Sequence, residues 1–201
     1  MNSIVVAITG ASGAIYGLRL VEELLSAGCR VTFLLTGSGL DVLRYETGLE
    51  WEGSTTVRKQ LIRDYFGGAR KLEHYAEKDL FAPAASGSSA PDAVVIAPCS
   101  MGTAGRIAAG VSDNLIERVA DVALKEGRDL LLVPRETPFN QIHLENLLRL
   151  SRAGARIIPA MPAFYHRPKK IEDLVDFVVG KILDNLKIPH TLFQRWGEDV
   201  G

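Results

Sequence analysis

Five short apolar runs, set apart by stretches of helical period, dominate this sequence at residues 4–8, 31–35, 93–97, 130–133 and 156–159. Each is rich in Val, Ile or Leu without period-two alternation, the pattern of parallel strands buried on both faces. The segments between them, such as 15–27 and 114–126, place apolar residues at helical spacing. This alternation predicts an α/β fold, a doubly wound parallel sheet with helices on both faces. Gly28 and Gly127 stand where helix ends favour a left-handed residue. Asp113 or Asn114 reads as an N-cap, with Glu117 completing a capping box on Asn114. Residues 171–186 read as a long last helix with Leu174, Val175, Val178, Ile182 and Leu186 on its apolar side. Two stretches break the rhythm: a Pro/Ser/Gly loop at 82–92 and an irregular tail at 188–201.

Charge narrows the partners. With 23 basic and 24 acidic residues the net charge is −1, so no global field draws in nucleic acid or an anionic membrane. Any anion site must be local. Cys29 and Cys99 are too few for a disulfide framework and fit a reducing, cytoplasmic setting. No apolar run reaches membrane-span length, and Met1-Asn2-Ser3 lacks the basic start of a signal peptide.

Ligands of such sheets bind at the carboxyl ends of the strands. The first run is followed by Thr9-Gly10-Ala11-Ser12-Gly13, whose glycines permit a tight turn and whose following helix would offer free N–H groups to a phosphate. Thr36-Gly37-Ser38-Gly39 follows the second run, Pro98-Cys99-Ser100-Met101-Gly102-Thr103 the third, and Pro134-Arg135-Glu136-Thr137-Pro138 the fourth. Hydroxyls at three ends and a cation at the fourth suit a flat, phosphorylated cofactor. A nicotinamide reductase fits less well. Tyr16 occupies the last glycine position of its fingerprint, Thr36 ends the second strand without a carboxylate, and Pro168 interrupts the Tyr165–Lys169 spacing.

Metal readings also fall away. Cys99 lacks a second cysteine three positions on, and His74, His143, His166 and His190 are scattered. Glu172, Asp173 and Asp176 open a helix, where carboxylates serve the dipole. Cys99 reads as a packing residue rather than a nucleophile. Arg118 and Lys125 share one helix face with Asp121 between them, and Arg135 and Lys181 add cations that could converge on a phosphate.

Taken in order, a set of motifs resembles one family. They are Thr9-Gly-Ala-Ser-Gly13, Ala85-Ser-Gly-Ser-Ser-Ala-Pro91, Pro98-Cys-Ser-x-Gly-Thr103, Asp113-Asn-Leu-Ile-Glu-Arg118, Ala120-Asp-Val-Ala-Leu-Lys125, Val133-Pro-Arg-Glu-x-Pro-Phe139, His143-Leu-Glu-Asn146, Phe164-Tyr-His166 and Arg195-Trp196. Together they look like the UbiX-type flavin prenyltransferases of the homo-oligomeric flavin-containing decarboxylase superfamily. The resemblance spans essentially the whole chain. It implies one Rossmann-like, flavodoxin-like domain over residues 1–201, ending in the 188–201 tail.

It also implies an activity: transfer of a dimethylallyl group from dimethylallyl monophosphate to N5 and C6 of reduced FMN, without a metal. The product would serve a separate UbiD-type decarboxylase, and the enzyme would be a homo-oligomer, a dodecamer by resemblance. Gly10, Ala11, Ser12, Thr36, Ser100, Met101, Gly102, Thr103 and Arg135 fall on the family's FMN-contact positions. Arg118, Lys125, Tyr165 and Lys181 fall on positions that grip the prenyl phosphate. Ser12, Glu46 and Glu136 map to groups that move protons, and Trp196 to an aromatic beside the prenyl group. Two alternatives stand beside this reading. One is an FMN-dependent cysteine decarboxylase, whose asparagine–methionine motif is replaced here by Pro138-Phe-Asn-Gln-Ile-His143. The other is a non-catalytic flavin carrier, which would not need Arg118, Lys125 and Lys181.

Overall fold

The computed structural model describes residues 2–195 and Gly197. Its strands are β1 (Ser3–Ile8), β2 (Arg30–Leu35), β3 (Leu72–His74), β4 (Ala93–Cys99), β5 (Asp129–Pro134) and β6 (Arg156–Ile157). Its helices are α1 (Ala14–Ser26), α2 (Gly37–Thr47), α3 (Thr55–Tyr65), α4 (Met101–Ala108), α5 (Leu115–Lys125), α6 (Gln141–Arg152) and α7 (Ile171–Asn185). One six-stranded sheet runs β3-β2-β1-β4-β5-β6, and every pairing is parallel. The order reverses between β1 and β4, which opens a crevice at their carboxyl ends.

Side chains alternate between two buried layers. Ile4, Val6 and Ile8 of β1 pack with Leu18 and Val21 of α1, Leu43 of α2, Ile62 of α3 and Val178 and Ile182 of α7. Val5 and Ala7 pack on the opposite face with Ile107 of α4, Leu115 and Val119 of α5 and Leu150 of α6. Fully burying each such Leu, Ile or Val side chain stabilises by about 1.5–3 kcal/mol, so both layers are needed to hold the sheet. Among the described residues no helix is long and apolar enough to cross a membrane.

Local details refine the sequence reading. Gly28 and Gly127 follow their helix ends at φ 79° and 64°, as expected of left-handed stops. Asn114 caps α5 by accepting the Glu117 amide at 2.9 Å. The expected box on Asn114 is only half formed, because the Glu117 carboxylate takes the Asp113 amide at 3.0 Å and the Arg106 guanidinium instead. β3 escaped the sequence reading because Leu72-Glu73-His74 holds a single aliphatic residue and so makes no apolar run. The 82–92 loop contains two single 3₁₀ turns, Pro83–Ala85 and Gly87–Ser89.

Candidate active site

The turn after β1 is shaped by glycines. A Cβ on Gly10 would lie 2.5 Å from Ser38 Oγ, and one on Gly39 would lie 2.6 Å from the Ile8 carbonyl. At Gly17 it would strike the Ala97 carbonyl and the Ile8 side chain, so Gly17 rather than residue 16 lets helix and strand approach closely. Gly13 caps α1 at φ 106°, in the left-handed region that glycine tolerates best.

Glu46, near the end of α2, reaches this turn. Its two oxygens each accept the Gly13 amide at 3.0 Å, and Oε2 accepts the Ala14 amide at 2.9 Å. The expectation that the first amides of α1 await a phosphate is therefore corrected: a carboxylate already satisfies them and suits the positive helix end. The Gly10 and Ser12 amides, one step earlier, have no partner among the described residues.

Hydrogen bonds across the β1/β4 switch fix the crevice. Thr9 Oγ1 donates to the Pro98 carbonyl at 2.9 Å and accepts the Ser100 amide at 2.8 Å. Ser100 caps α4, accepting the Thr103 amide at 3.2 Å, which leaves Met101 and Gly102 leading that helix into the crevice. Thr36 caps α2 in the same manner, accepting the Gly39 amide at 2.9 Å. Arg135, at the end of β5, spans the gap by donating Nε–H to the Ser12 carbonyl at 3.0 Å. The structure thus gathers Gly10, Ala11, Ser12, Thr36, Ser100–Thr103 and Arg135 at one edge, together with Glu46. Sequence reasoning missed Glu77, whose carboxylate accepts the Gly37 amide at 3.0 Å. It lies in an irregular stretch with no helical or strand period to flag it.

The remaining cations are not gathered. Arg118 on α5 donates to the Ala85 carbonyl at 3.1 Å and to Asp121 at 2.9 Å. Lys125 pairs with Glu126 at 2.5 Å, and a Cβ on Gly87 would lie 2.8 Å from its ammonium. Both therefore face the 82–92 loop on the α4/α5/α6 side. Lys181 belongs to α7 on the other side, and Tyr165 joins it there through an edge contact with Phe177 at 5.8 Å. The sheet separates the two pairs, so the convergence expected of Arg118 and Lys125 with Lys181 does not occur within one chain.

With this geometry in view, comparison with known proteins decides the family. The Flavoprotein family profile matches residues 1–183. The flavin prenyltransferase UbiX of Pseudomonas aeruginosa is 50% identical over 196 residues, covering 97% of this chain and 94% of its own. This chain belongs to the flavin prenyltransferase family. The crystal structure of AnUbiX (PadA1) in complex with FMN and dimethylallyl pyrophosphate superposes with TM-score 0.86 at 38% identity, covering 99% of each chain. A dodecameric FMN-dependent UbiX-like decarboxylase from Escherichia coli O157:H7 superposes with TM-score 0.84 at 37% identity, over 96% of this chain and 98% of that one.

Other residues sort themselves against this family. Glu136 sits at the crevice mouth with Oε1 accepting the Thr137 amide at 3.1 Å, while its neighbour Arg135 turns to Ser12. Trp196 lies outside the described residues. Cys99 is fully buried, and burial pushes its thiol up to about 12, which suits packing and not nucleophilic attack. Asn140 caps α6 by accepting the His143 amide at 2.8 Å, and His143 Nδ1 accepts the Asn140 amide at 3.4 Å in return. Asp173 accepts the Lys169 and Lys170 amides at 2.8 and 3.3 Å, and Asp176 holds Arg19 at 2.7 Å, so the acidic cluster opening α7 is structural. Among the described residues no group of three His, Cys, Asp or Glu side chains is arranged to hold a metal ion.

Proposed function

We propose that this chain transfers a dimethylallyl group from dimethylallyl monophosphate to reduced FMN, forming bonds at N5 and C6 and releasing inorganic phosphate. What supports this most is the β1/β4 crevice, where the Gly10 and Ser12 amides, small hydroxyls and Arg135 meet, while the nearby carboxylates of Glu46 and Glu77 are already engaged by the Gly13, Ala14 and Gly37 amides. In this reading FMN is the acceptor substrate, held by Gly10, Ala11, Ser12, Thr36, Ser100, Met101, Gly102, Thr103 and Arg135. The Gly10 and Ser12 amides lack protein partners among the described residues and suit its polar oxygens.

Arg118, Lys125, Tyr165 and Lys181 hold the prenyl phosphate. As the allylic C–O bond breaks, its electron pair leaves on the phosphate, and fixed cations stabilise that charge more than they stabilise the intact ester. The allyl cation left behind is met by the π face of Trp196. Bond formation from N5 to the allyl cation frees the N5 proton. Ring closure then adds a proton to one carbon of the remaining prenyl double bond while the other bonds to C6. C6 gives up its ring proton to Glu136, with Ser12 and Glu46 relaying protons at the glycine turn.

Because the sheet divides the phosphate residues, the complete site needs two copies of the chain. Exposed apolar groups flank both halves: Phe81 beside the 82–92 loop is 100% exposed, and Phe164 beside Tyr165 is 70% exposed. A second copy of the chain seated against either half would cover them. A homo-oligomer follows, and the dodecameric E. coli relative supports that stoichiometry. We assign residues 1–201 to one flavoprotein-like domain, cytoplasmic in setting, whose product passes to a UbiD-type decarboxylase. The cysteine decarboxylase alternative loses support, because His143, the histidine of the stretch in question, is engaged with Asn140 as a helix cap. The test is direct. Purified protein with reduced FMN and dimethylallyl monophosphate should yield a flavin heavier by one dimethylallyl group in mass spectrometry. Unchanged flavin with both the monophosphate and the diphosphate donor would overturn the reading.

A further inference from the structure

One stripe of α7 organises the half of the molecule that carries Lys181. Phe177, Gly180, Lys181 and Asp184 follow at helical spacing and share a face. Phe177 stacks on His166 at 5.3 Å and meets Phe193 of the tail at 4.9 Å. Gly180 makes room for the tail: a Cβ there would lie 2.7 Å from His190 Cε1 and from Phe193 Cδ1. Asp184 closes the stripe. Its carboxylate accepts from Arg195 at 2.7 and 3.3 Å and from His190 Nε2 at 3.1 Å, and it stands 3.5 Å from the Lys181 ammonium.

These contacts are unequal in kind. Arg195 makes a bidentate grip, the geometry that orders a guanidinium on a carboxylate. The His190 ring has both nitrogens engaged, since Nδ1 accepts the Leu192 amide at 3.3 Å while Nε2–H serves Asp184. Lys181 is held loosely, by charge more than by a short hydrogen bond. A phosphate dianion can therefore recruit Lys181 while Arg195 and His190 stay in place. Burial alone would push the Asp184 carboxyl up, but the hydrogen bonds from Arg195 and His190 and their charges hold it below its ordinary range. The carboxylate also keeps the Lys181 and Arg195 cations from repelling each other.

We propose that Asp184 is a positioning residue for prenyl transfer, docking the 188–195 segment and presenting Lys181 to the prenyl phosphate as one unit. This rests on the reading of Lys181 as a phosphate ligand. Trp196, the aromatic assigned to the allyl cation, follows Arg195 directly in the sequence.

Asp184→Asn tests it, with Asp184→Glu as the conservative companion. In Asp184→Asn the KM for dimethylallyl monophosphate should rise about tenfold, the scale of a lost charge-assisted hydrogen bond, with FMN affinity unchanged. Amide hydrogen exchange over 188–195 should quicken in the FMN-loaded protein, and Asp184→Glu should restore much of both. In a Lys181→Ala background the Asp184→Asn change should add little to KM, because the two residues act together. Fully additive KM effects, or exchange at 188–195 unchanged in Asp184→Asn, would overturn the proposal. If the unaltered protein fails to prenylate FMN, the functional reading falls; if it succeeds while Asp184→Asn keeps a normal KM, only this inference falls.

Discussion

The crevice proposed for flavin and the residues proposed for the prenyl phosphate use the same sheet in opposite ways. In the crevice, groups as distant in sequence as Ser12 and Arg135, or Thr9 and Ser100, meet through bonds of 3.0 and 2.8 Å at the carboxyl ends of β1, β4 and β5. The residues proposed for the phosphate hang on helices of opposite faces, Arg118 and Lys125 on α5 and Lys181 on α7, with the strands between them. A parallel sheet converges its strand ends but diverges its helix faces. A site built from strand ends can be complete in one chain, whereas under the proposed assignment one built from both helix faces draws on another copy.

That contrast can be broken most sharply at Lys125. Lys125→Ala should slow prenyl transfer on the order of 10²-fold, about 3 kcal/mol of transition-state stabilisation, while FMN affinity stays the same. Fluorescence titration with FMN and single-turnover mass spectrometry separate the two effects. A variant that lost FMN would move Lys125 into the crevice and erase the distinction.

Next comes the crevice scaffold. Gly17→Ala should lower unfolding stability in urea by about 1–3 kcal/mol through overpacking against Ala97 and Ile8, although alanine ordinarily favours a helix interior. A neutral or stabilising result would mean that α1 can lift from β4 without cost.

His74 and Asp184 should also part on acid titration. His74, in β3 on the first face, is buried with Nδ1 on the Phe33 carbonyl at 2.8 Å, and burial holds its pKa below the usual value. The unfolded chain binds that proton first, so stability is full above about pH 6.5 and declines as pH falls below it. Asp184 is depressed too, so its contribution persists until pH falls through the ordinary carboxylate range and is lost below it. Urea midpoints across pH should show the earlier decline, and His74→Gln should flatten it. Persistence of that slope in His74→Gln would assign it to another group.

The smallest effect concerns Glu46. Glu46→Gln should cost about 0.3–1 kcal/mol of stability by removing a charge from the α1 terminus, measured by the same unfolding assay. No change would mean that the Gly13 and Ala14 amides are satisfied equally well by water.

Much of this was legible in the sequence because it rests on local pattern. Buried strands read as apolar runs, and the turn residues of the crevice are small or hydroxylic for steric reasons that the sequence states outright. β3 was not legible, because Leu72-Glu73-His74 offers one aliphatic residue and no apolar run. Glu46 could be reached by resemblance but not by pattern, since it projects from an exposed helix end to cap a helix 32 residues away in sequence. The division of Arg118 and Lys125 from Lys181 was invisible for another reason. Residue spacing tells which helix face a side chain occupies, but only the topology tells which side of the sheet that helix covers. Asp184 lay hidden likewise, because its partners include tail residues whose irregular backbone carries no period.

The central claim is that one active site takes Lys125 from one copy and Lys181 from another. It is tested by preparing Lys125→Ala and Lys181→Ala separately, confirming that each binds FMN but transfers prenyl groups poorly, then mixing them under conditions that exchange subunits. A site spanning two copies predicts that prenylated flavin reappears in the mixture, since some contacts then pair an intact Lys125 with an intact Lys181. A mixture no more active than its separate components would place both residues in one chain's site and contradict the account.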